Sequence, residues 1–348
     1  MRKRAVGAGL VAVAVVAAIA AVVASTATAS KSTHSGSQLV GAGATFPFPL
    51  ISQWVKAYPS LTGVDIVYQP IGSGGGISAI TGKTVDFGAS DAPFTPDQQA
   101  ACADCVQIPW VLGSTAVLYN LDGAPNNLHM TGPVLANIYM GKIKKWNDPA
   151  IQKLNPKHKL PDTDITPVYR SDGSGTSYNF TDYLSKVSGT WKSKIGFSTQ
   201  PSFPTGVGGK GSSGVAGVVR KTNGAIGYAD IAYALTNHIY FFNMKNAAGR
   251  FVTPGLRGIA AAAATIKKVP ANNEMHIVDP PKSKKFAYPI CTFSYVLVHK
   301  TTPNAAALRK FIFYALTQGQ EFGPKLLYGK IPHVVLFKAE KTLKQIHS

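Results

Sequence analysis

The sequence predicts an α/β protein whose two lobes enclose a cleft. Strand-like segments alternate with glycine-containing turns and helix-like segments along the chain, an order typical of sheets flanked by helices. Removing a predicted leader of 29 residues from the 348 leaves 319, which exceeds the roughly 250–300 residues at which one hydrophobic core stops growing. A composition of 45% apolar and 15% charged residues excludes a disordered chain. Because ligands collect at the carboxyl ends of strands in open α/β sheets, the cleft is the expected binding site.

The amino terminus has the pattern of a secretory signal peptide. A basic start, Met1 to Arg4, precedes twenty apolar or small residues, and Ala27-Thr28-Ala29 supplies a small-residue cleavage site. The sequence therefore predicts a signal peptide at residues 1–29 and a mature protein that is periplasmic or extracellular. An uncleaved membrane anchor stays open, because the apolar stretch is long enough to span a bilayer.

The chain carries a formal charge of +19, which favours the binding of anionic ligands. Its lysines are scattered or in short groups, with no recognition helix or aromatic platform around them, so nucleic acid is not an expected partner. An attraction for small anions, or an unusual external medium, explains the charge better.

Of the three cysteines, Cys102 and Cys105 form the only close pair. In an exported chain this pair predicts a small disulfide, and Cys291 is then a buried thiol. A redox site is the alternative, but no strand-to-helix context supports it. Zinc would need two further ligands, and the eight histidines are dispersed without metal spacing, so we predict neither a metal nor a cofactor.

The first third of the chain contains two strand, turn and helix units, followed by a further strand. A strand at 39–42 leads through Thr45 to a helix ending near Tyr58, and a strand at 64–69 leads through a glycine-rich loop to a short helix at 77–80. A third strand begins at Val85 and ends on a carboxylate, Asp91. The glycine-rich loop lacks the Lys-Ser or Lys-Thr ending of a nucleotide P-loop, so nucleotide binding is unsupported.

The segment from Arg170 to Phe180 is the strongest candidate for an anion site. A strand at 165–169 and a helix at 178–187 flank a turn at 173–176, and the first N–H groups of a helix lack intrahelical acceptors. Arg170 adds a planar, permanently charged fork that Asp172 could hold in place. The alternative is an ordinary capped turn.

The remaining segments complete the α/β alternation. The predicted strands are at 115–121, 224–228 and 288–299, and the predicted helices are at 134–142, 149–154, 215–221 and 304–316. The stretch at 245–273 is predicted to be irregular, and the residues after 316 form a basic tail.

Seven motifs, taken together, carry a resemblance to a known family. They are GAGATFP (41–47), YQPIGSGGG (68–76), VDFGASDAP (85–93), IYMGKIKKWND (138–148), RSDGSGTS (170–177), GVGGKG (206–211) and GAIGYAD (224–230). These motifs closely resemble the phosphate-binding proteins of bacterial high-affinity phosphate ABC importers. The resemblance implies a type II periplasmic binding protein, with residues 31–119 and 292–348 in lobe I and residues 120–291 in lobe II.

The resemblance also implies a site and its partners. The implied phosphate contacts are Thr45, Phe46, Ser73, Asp91, Arg170, Ser174, Gly175 and Thr176. Asp172 would support Arg170, and no residue would be catalytic. The implied partners are inorganic phosphate and the membrane permease subunits of a phosphate ABC importer, and we expect the binding protein to be a monomer.

Two rival functions remain at this stage. A phosphatase would need an activated nucleophile or metal ions, but Ser174 has no assigned histidine base and lacks the Gly-x-Ser-x-Gly spacing. Binding of another tetrahedral oxyanion, such as sulfate, arsenate or molybdate, is the closer rival.

Overall fold

The computed structural model describes residues 38–348, so the predicted signal peptide at residues 1–29 lies outside the described residues. The strands within this part of the chain are β1 (Gln38–Gly43), β2 (Asp65–Gln69), β3 (Phe87–Ser90), β4 (Cys105–Tyr119), β5 (His129–Met130), β6 (Thr166–Arg170), β7 (Val207–Gly209), β8 (Ala225–Asp230), β9 (Tyr240–Phe241), β10 (Asn243–Lys245), β11 (Phe251–Val252) and β12 (Cys291–His299).

Helices separate most of these strands, as the predicted alternation requires. They are α1 (Phe48–Thr62), α2 (Ser73–Thr81), α3 (Pro96–Ala101), α4 (Gly132–Tyr139), α5 (Pro149–Gln152), α6 (Gly175–Val187), α7 (Gly189–Lys194), α8 (Gly211–Lys221), α9 (Ile231–Asn237), α10 (Leu256–Ala263), α11 (Ala305–Leu316) and α12 (His333–Leu343). Two short 3₁₀ helices, Gln318–Phe322 and Pro324–Leu326, lie between α11 and α12.

One sheet of nine strands organises the molecule. Its order is β2-β1-β3-β12-β4-β8-β6-β7, and β9 adds to β4. The outer pairs β1 with β2, β1 with β3 and β6 with β7 are parallel, whereas β4 and β12 pair antiparallel with their neighbours. A separate sheet of three short strands has the order β11-β10-β5.

The long strand β4 joins the two halves of the large sheet. Its first part, Cys105 to Ser114, pairs with β12, and its second part, Thr115 to Tyr119, pairs with β8. Pairing with β12 ends at Ser114, which lies opposite Cys291, the first residue of β12. Pairing with β8 begins at the next residue, Thr115. The lobe boundaries expected at residues 119 and 291 fall at the end of β4 and the start of β12, and they stay predictions.

Three hydrophobic clusters fill the interior. One packs α1 and α11 around Trp54, Trp110 and Phe311, with the two indole rings 5.2 Å apart. A larger cluster surrounds Phe180 and Tyr228, whose rings stack at 4.1 Å. The third packs α8 on β6 and β8. The longer helices α1, α8 and α11 thus bury an apolar face in these clusters, and the strand ends are left to the loops.

Three expectations about local structure were wrong. The strand predicted from residue 115 begins ten residues earlier, at Cys105, because nearly all of its first part is buried and no exposed polar face marks it. The stretch at 245–273, predicted to be irregular, contains α10, whose Ile259 and Ala262 are buried. The basic tail contains α12, which buries Val335 and Ala339 at a spacing of four residues.

Two further findings concern cysteines and membranes. Cys102 and Cys105 are disulfide-bonded and Cys291 is a buried thiol, which confirms the prediction. Within residues 38–348, every helix is too short or too polar to span a lipid bilayer.

Candidate anion-binding site

The predicted site residues come from different elements and meet at one place. Thr45 precedes α1, Ser73 begins α2, and Asp91 directly follows β3. Arg170 ends β6, and Ser174 caps α6. All five side chains are buried, although each has a polar group that would be solvated on a surface.

Thr45 links the turn before α1 to the start of α8. Its hydroxyl lies 2.8 Å from the hydroxyl of Ser212 and accepts a hydrogen bond from the Ser212 backbone N–H at 3.1 Å. Two tyrosine hydroxyls donate hydrogen bonds to the backbone of this turn. Tyr233 donates to the Thr45 carbonyl at 2.6 Å, and Tyr328 donates to the Phe46 carbonyl at 2.7 Å. These bonds fix the backbone from which the Thr45 hydroxyl and the Phe46 N–H project.

Ser73 joins α2 to α6. Its hydroxyl oxygen accepts hydrogen bonds from the backbone N–H of Gly175 at 3.0 Å and of Asp91 at 3.2 Å. Next to it, the Gly74 N–H donates to the Gly173 carbonyl at 3.0 Å. The two glycine-containing turns therefore contact each other directly.

Arg170 supplies a buried guanidinium with one free edge. Its Nε donates to Asp172 Oδ1 at 2.7 Å, and its Nη2 pairs with Asp172 Oδ2, so that the carboxylate occupies one side of the fork. The side chain is 1% exposed, and Nη1 has no hydrogen-bond partner among the described residues. A buried donor without an acceptor is costly, so this edge is suited to an anionic oxygen.

Asp172 orients the Arg170 guanidinium and is itself fixed by a hydrogen bond from the backbone. Its Oδ1 also accepts the backbone N–H of Gly211 at 2.9 Å. Burial acts to raise the pKa of Asp172, but the hydrogen bond and charge of Arg170 and the backbone donors outweigh it, and the pKa is lowered. Asp172 is therefore ionised near neutral pH and fixes the arginine, as the supporting role requires.

Asp91 is the second carboxyl at the site, and its environment is different. Ser294 donates to Oδ1 at 2.8 Å, while Thr176 reaches Oδ2 only at 3.5 Å. Burial raises the pKa of Asp91 to about 7, against the opposing effects of Ser294, Arg170 and Thr176. Near neutral pH this carboxyl can either give or accept a proton, and Oδ2 is the oxygen with capacity left for a ligand.

The start of α6 approaches Asp91 closely. Ser174 caps the helix by accepting the Ser177 N–H at 3.1 Å, and Gly175 follows as the first helical residue. A Cβ at Gly175 would lie 2.6 Å from the Cβ of Asp91, so glycine is required for this contact. Gly72 is equally confined, since its φ is +91° and a Cβ there would lie 2.3 Å from Asp172 Oδ2.

Sequence reasoning missed several residues that complete the arrangement. Ser212 lies just after the glycine-rich segment 206–211, whose motif could have identified it. Ser294 lies inside the apolar strand β12, where nothing in its neighbours signals a role. The supporting hydroxyls of Tyr233 and Tyr328 come from segments far along the chain and are recognisable only in the structure.

Together these groups can recognise a small tetrahedral oxyanion. One guanidinium edge, hydroxyls from Thr45, Ser73 and Thr176, and a titratable carboxyl converge in a buried place. Helix starts add backbone donors and a favourable dipole. Ser174 Oγ is hydrogen-bonded to the Ser177 N–H, and within residues 38–348 it has no hydrogen bond to a histidine that could activate it as a nucleophile.

Comparison with known proteins agrees with this geometry. A model of the PBP superfamily domain matches residues 26–318. The phosphate-binding protein PstS of Xylella fastidiosa strain 9a5c is 44% identical over 299 residues, which cover 85% of this chain and 82% of that protein. The PstS of Pasteurella multocida is 40% identical over 316 residues, covering 90% of this chain and 91% of the relative.

Solved structures share the fold. The phosphate-bound structure of a high-affinity periplasmic phosphate-binding protein, PfluDING, aligns with a TM-score of 0.69 at 19% identity over 87% of this chain and 93% of that one. A putative phosphate ABC transporter substrate-binding protein from Clostridium perfringens, with bound phosphate, gives a TM-score of 0.63 at 17% identity over 85% of this chain and 100% of that one. The predicted α/β, two-lobed type II binding-protein fold is confirmed. The chain therefore belongs to the PBP superfamily and, within it, to the family of phosphate-binding proteins named PstS.

Proposed function

We propose that this protein captures inorganic phosphate outside the cytoplasmic membrane and delivers it to the permease subunits of an ABC importer. The observation that carries the proposal is the buried Nη1 edge of Arg170, which has no hydrogen-bond partner among residues 38–348 and lies among hydroxyl donors contributed by separate elements. An anion whose oxygens meet these donors would satisfy a guanidinium edge that is otherwise buried without an acceptor. The relatives from Xylella fastidiosa, Pasteurella multocida and Haemophilus influenzae are each named phosphate-binding protein PstS, which supports the same ligand.

The proposed phosphate contacts are the eight residues named from the sequence. Thr45, Phe46, Ser73, Ser174, Gly175 and Thr176 would provide hydroxyl and backbone donors, Arg170 a charged donor, and Asp91 an acceptor. The Gly175 N–H, which donates to Ser73 Oγ, would turn to the ligand or be shared with it. Asp172 stays a positioning residue, because its two oxygens are engaged by the arginine. We also propose that the lobes of residues 31–119 with 292–348 and of 120–291 close on the ligand.

Asp91 favours phosphate over sulfate in this arrangement. Phosphate still carries a proton near neutral pH and can donate it to a carboxylate oxygen, whereas sulfate has no proton and is repelled by the ionised carboxylate. Because Asp91 Oδ2 has a single long contact with Thr176, it is the free acceptor for that proton.

Calorimetric titration of the mature protein with phosphate, and separately with sulfate, tests the proposal. We expect a stoichiometry of one phosphate per chain and much weaker sulfate binding. A preference for sulfate, or no binding of either ion, would contradict it.

A non-catalytic role is part of the proposal. The PstS relatives are named as binding proteins, and the bonding of Ser174 to the helix backbone supports a structural use of its hydroxyl. Incubation with a chromogenic phosphate ester should release no product above a buffer blank, and turnover abolished by Ser174→Ala would favour a phosphatase instead. Intact-mass measurement of exported protein should show a chain that starts near Ser30 if the predicted signal peptide is removed.

A further inference from the structure

A second group of potential ligand atoms surrounds the disulfide at the start of β4. The sulfurs of Cys102 and Cys105 and the imidazole of His299 offer ligand atoms that all lie within 4.8 Å of one another. His299 ends β12 and stands directly opposite Cys105 in the antiparallel ladder between β4 and β12. The backbone pairing of the central strands therefore fixes the distance between the imidazole and the cysteine pair.

The hydrogen bond of His299 leaves a ring nitrogen available. Nε2 lies 2.9 Å from the carbonyl oxygen of Ile80, which can only accept, so Nε2 carries the proton. The lone pair is then on Nδ1, which lies 3.9 Å from the Cys102 sulfur and 3.8 Å from the Cys105 sulfur. A backbone carbonyl that fixes the other ring nitrogen is the usual support of a metal-binding histidine.

Asp104 offers a fourth ligand. Its Oδ2 lies 3.7 Å from His299 Nδ1, and it is held there by the backbone N–H of Thr301 at 3.0 Å. The Asp104 side chain is 44% exposed, whereas the histidine is 12% exposed and both cysteines are buried. The carboxylate therefore forms the solvent side of the cluster, through which an ion could enter.

The distances from His299 Nδ1 to the other three groups are close to those within a tetrahedral site. With Zn–S bonds of about 2.3 Å and Zn–N or Zn–O bonds of about 2.0–2.2 Å, neighbouring ligand atoms lie roughly 3.3–3.8 Å apart. The nitrogen-to-sulfur and nitrogen-to-oxygen distances of 3.7 to 3.9 Å are close to this range. The two sulfurs must separate and move towards the Nδ1 side of the ring, because each lies as close to Nε2 as to Nδ1. Asp104 must also approach the sulfurs, since the group whose ligand atoms all lie within 4.8 Å of one another consists of Cys102, Cys105 and His299. A Cys-x-x-Cys pair is a common zinc-ligand spacing.

We propose that reduction of the Cys102–Cys105 disulfide creates a Zn²⁺ site formed by both thiolates, His299 Nδ1 and the Asp104 carboxylate. A phosphine or dithiol reductant supplies two electrons, and two protons from solvent convert the disulfide into two thiols. Zn²⁺ then displaces both thiol protons, which leave to solvent, and the metal itself is not oxidised or reduced. Two soft sulfurs with one imidazole and one carboxylate favour zinc over magnesium or calcium.

The disulfide form gives a built-in negative control. Its sulfurs are neutral and bonded to each other, so they lack the charge and lone-pair availability of thiolate ligands. We therefore expect this cluster to bind metal when the Cys102–Cys105 disulfide is reduced and not when it is oxidised. Cys291 is fully buried, and its thiol donates to the Tyr288 carbonyl at 3.3 Å, so it should contribute nothing.

Optical titration of the full chain with Co²⁺, a spectroscopic substitute for Zn²⁺, tests the site. The protein is reduced with a water-soluble phosphine under argon in phosphate-free buffer, and a second sample is left oxidised. We expect the reduced sample to bind one Co²⁺ with the visible bands of tetrahedral cobalt and a thiolate-to-cobalt charge-transfer band, which one equivalent of Zn²⁺ abolishes. A reduced protein without that band, or an oxidised protein that binds equally, would overturn the proposal.

Variants test whether this cluster, and not another histidine, binds the metal. His299→Gln should weaken Zn²⁺ binding by the reduced chain at least about tenfold, because a ligand is lost. The exposed His333 provides a matched control, and His333→Gln should bind like the parent. Parent-like binding by His299→Gln would overturn the assignment. The comparison of reduced and oxidised parent protein needs no variant, so it decides the matter even if His299→Gln does not fold.

Discussion

Replacing Arg170 is the most informative perturbation of the proposed phosphate site. Arg170→Ala removes a charge-assisted contact from a guanidinium that is 1% exposed. Hydrogen bonds to charged groups contribute about 1.5–3 kcal/mol, and about 1.4 kcal/mol corresponds to a factor of ten in affinity. The direct contact alone therefore predicts phosphate binding weakened by roughly 10- to 150-fold.

The structure adds a second penalty to the loss of the arginine. Asp172 would remain as a carboxylate close to the bound anion, with the Gly211 N–H but without its fork partner. The double variant Arg170→Ala/Asp172→Ala should therefore bind phosphate more tightly than Arg170→Ala alone. Arg170→Lys should recover only part of the affinity, because an ammonium cannot hold both carboxylate oxygens and still present a planar edge to the ligand.

Calorimetry with phosphate at one pH and salt concentration measures these effects. Thermal unfolding of each variant without phosphate shows whether the fold is retained. If Arg170→Ala binds phosphate like the parent while keeping its fold, the guanidinium does not contact the ligand and the site is wrongly placed.

Three other predictions concern selectivity, the disulfide and a glycine. Asp91→Asn should bring the sulfate affinity closer to the phosphate affinity. In the parent, sulfate binding should weaken as the pH rises through about 7, where the carboxyl ionises. Titrations of parent and variant from pH 6 to 8 test this role, and a parent sulfate affinity that does not change with pH, or an unchanged ratio of the two affinities in the variant, would refute it. Cys102→Ser/Cys105→Ser should leave phosphate affinity within a few-fold, since the disulfide closes a short loop outside the predicted site, and calorimetry that finds a tenfold loss would contradict that placement. Gly175→Ala should destabilise the protein by about 1–3 kcal/mol and weaken phosphate binding, because the new Cβ would lie 2.6 Å from the Cβ of Asp91. Gly189→Ala, also at the first position of a helix but with open space around it, is the control in denaturant unfolding, and equal effects of the two changes would show that close packing is not the cause.

Local sequence patterns were sufficient for the fold class and for much of the candidate site. The turn before α6 is readable because glycine, a capping serine and an arginine stand next to one another, and their roles depend on short-range geometry. The disulfide is similarly local, since its cysteines are three residues apart. The family resemblance added the separate contacts at Thr45, Ser73 and Asp91, which no single pattern connects.

Only the tertiary structure decided which distant side chains complete each site. Ser294 reaches Asp91 from 203 residues away, and His299 reaches the cysteine pair because β12 and β4 share one register. A hydroxyl or an imidazole on an apolar strand has no sequence signature of its own, since its neighbours are set by strand pairing. The same reasoning explains β4, which is one strand of fifteen residues only because β12 and β8 pair with successive parts of it. The sequence by itself determined the turns and caps, where neighbours in the chain are neighbours in space, and strand register and burial determined the rest.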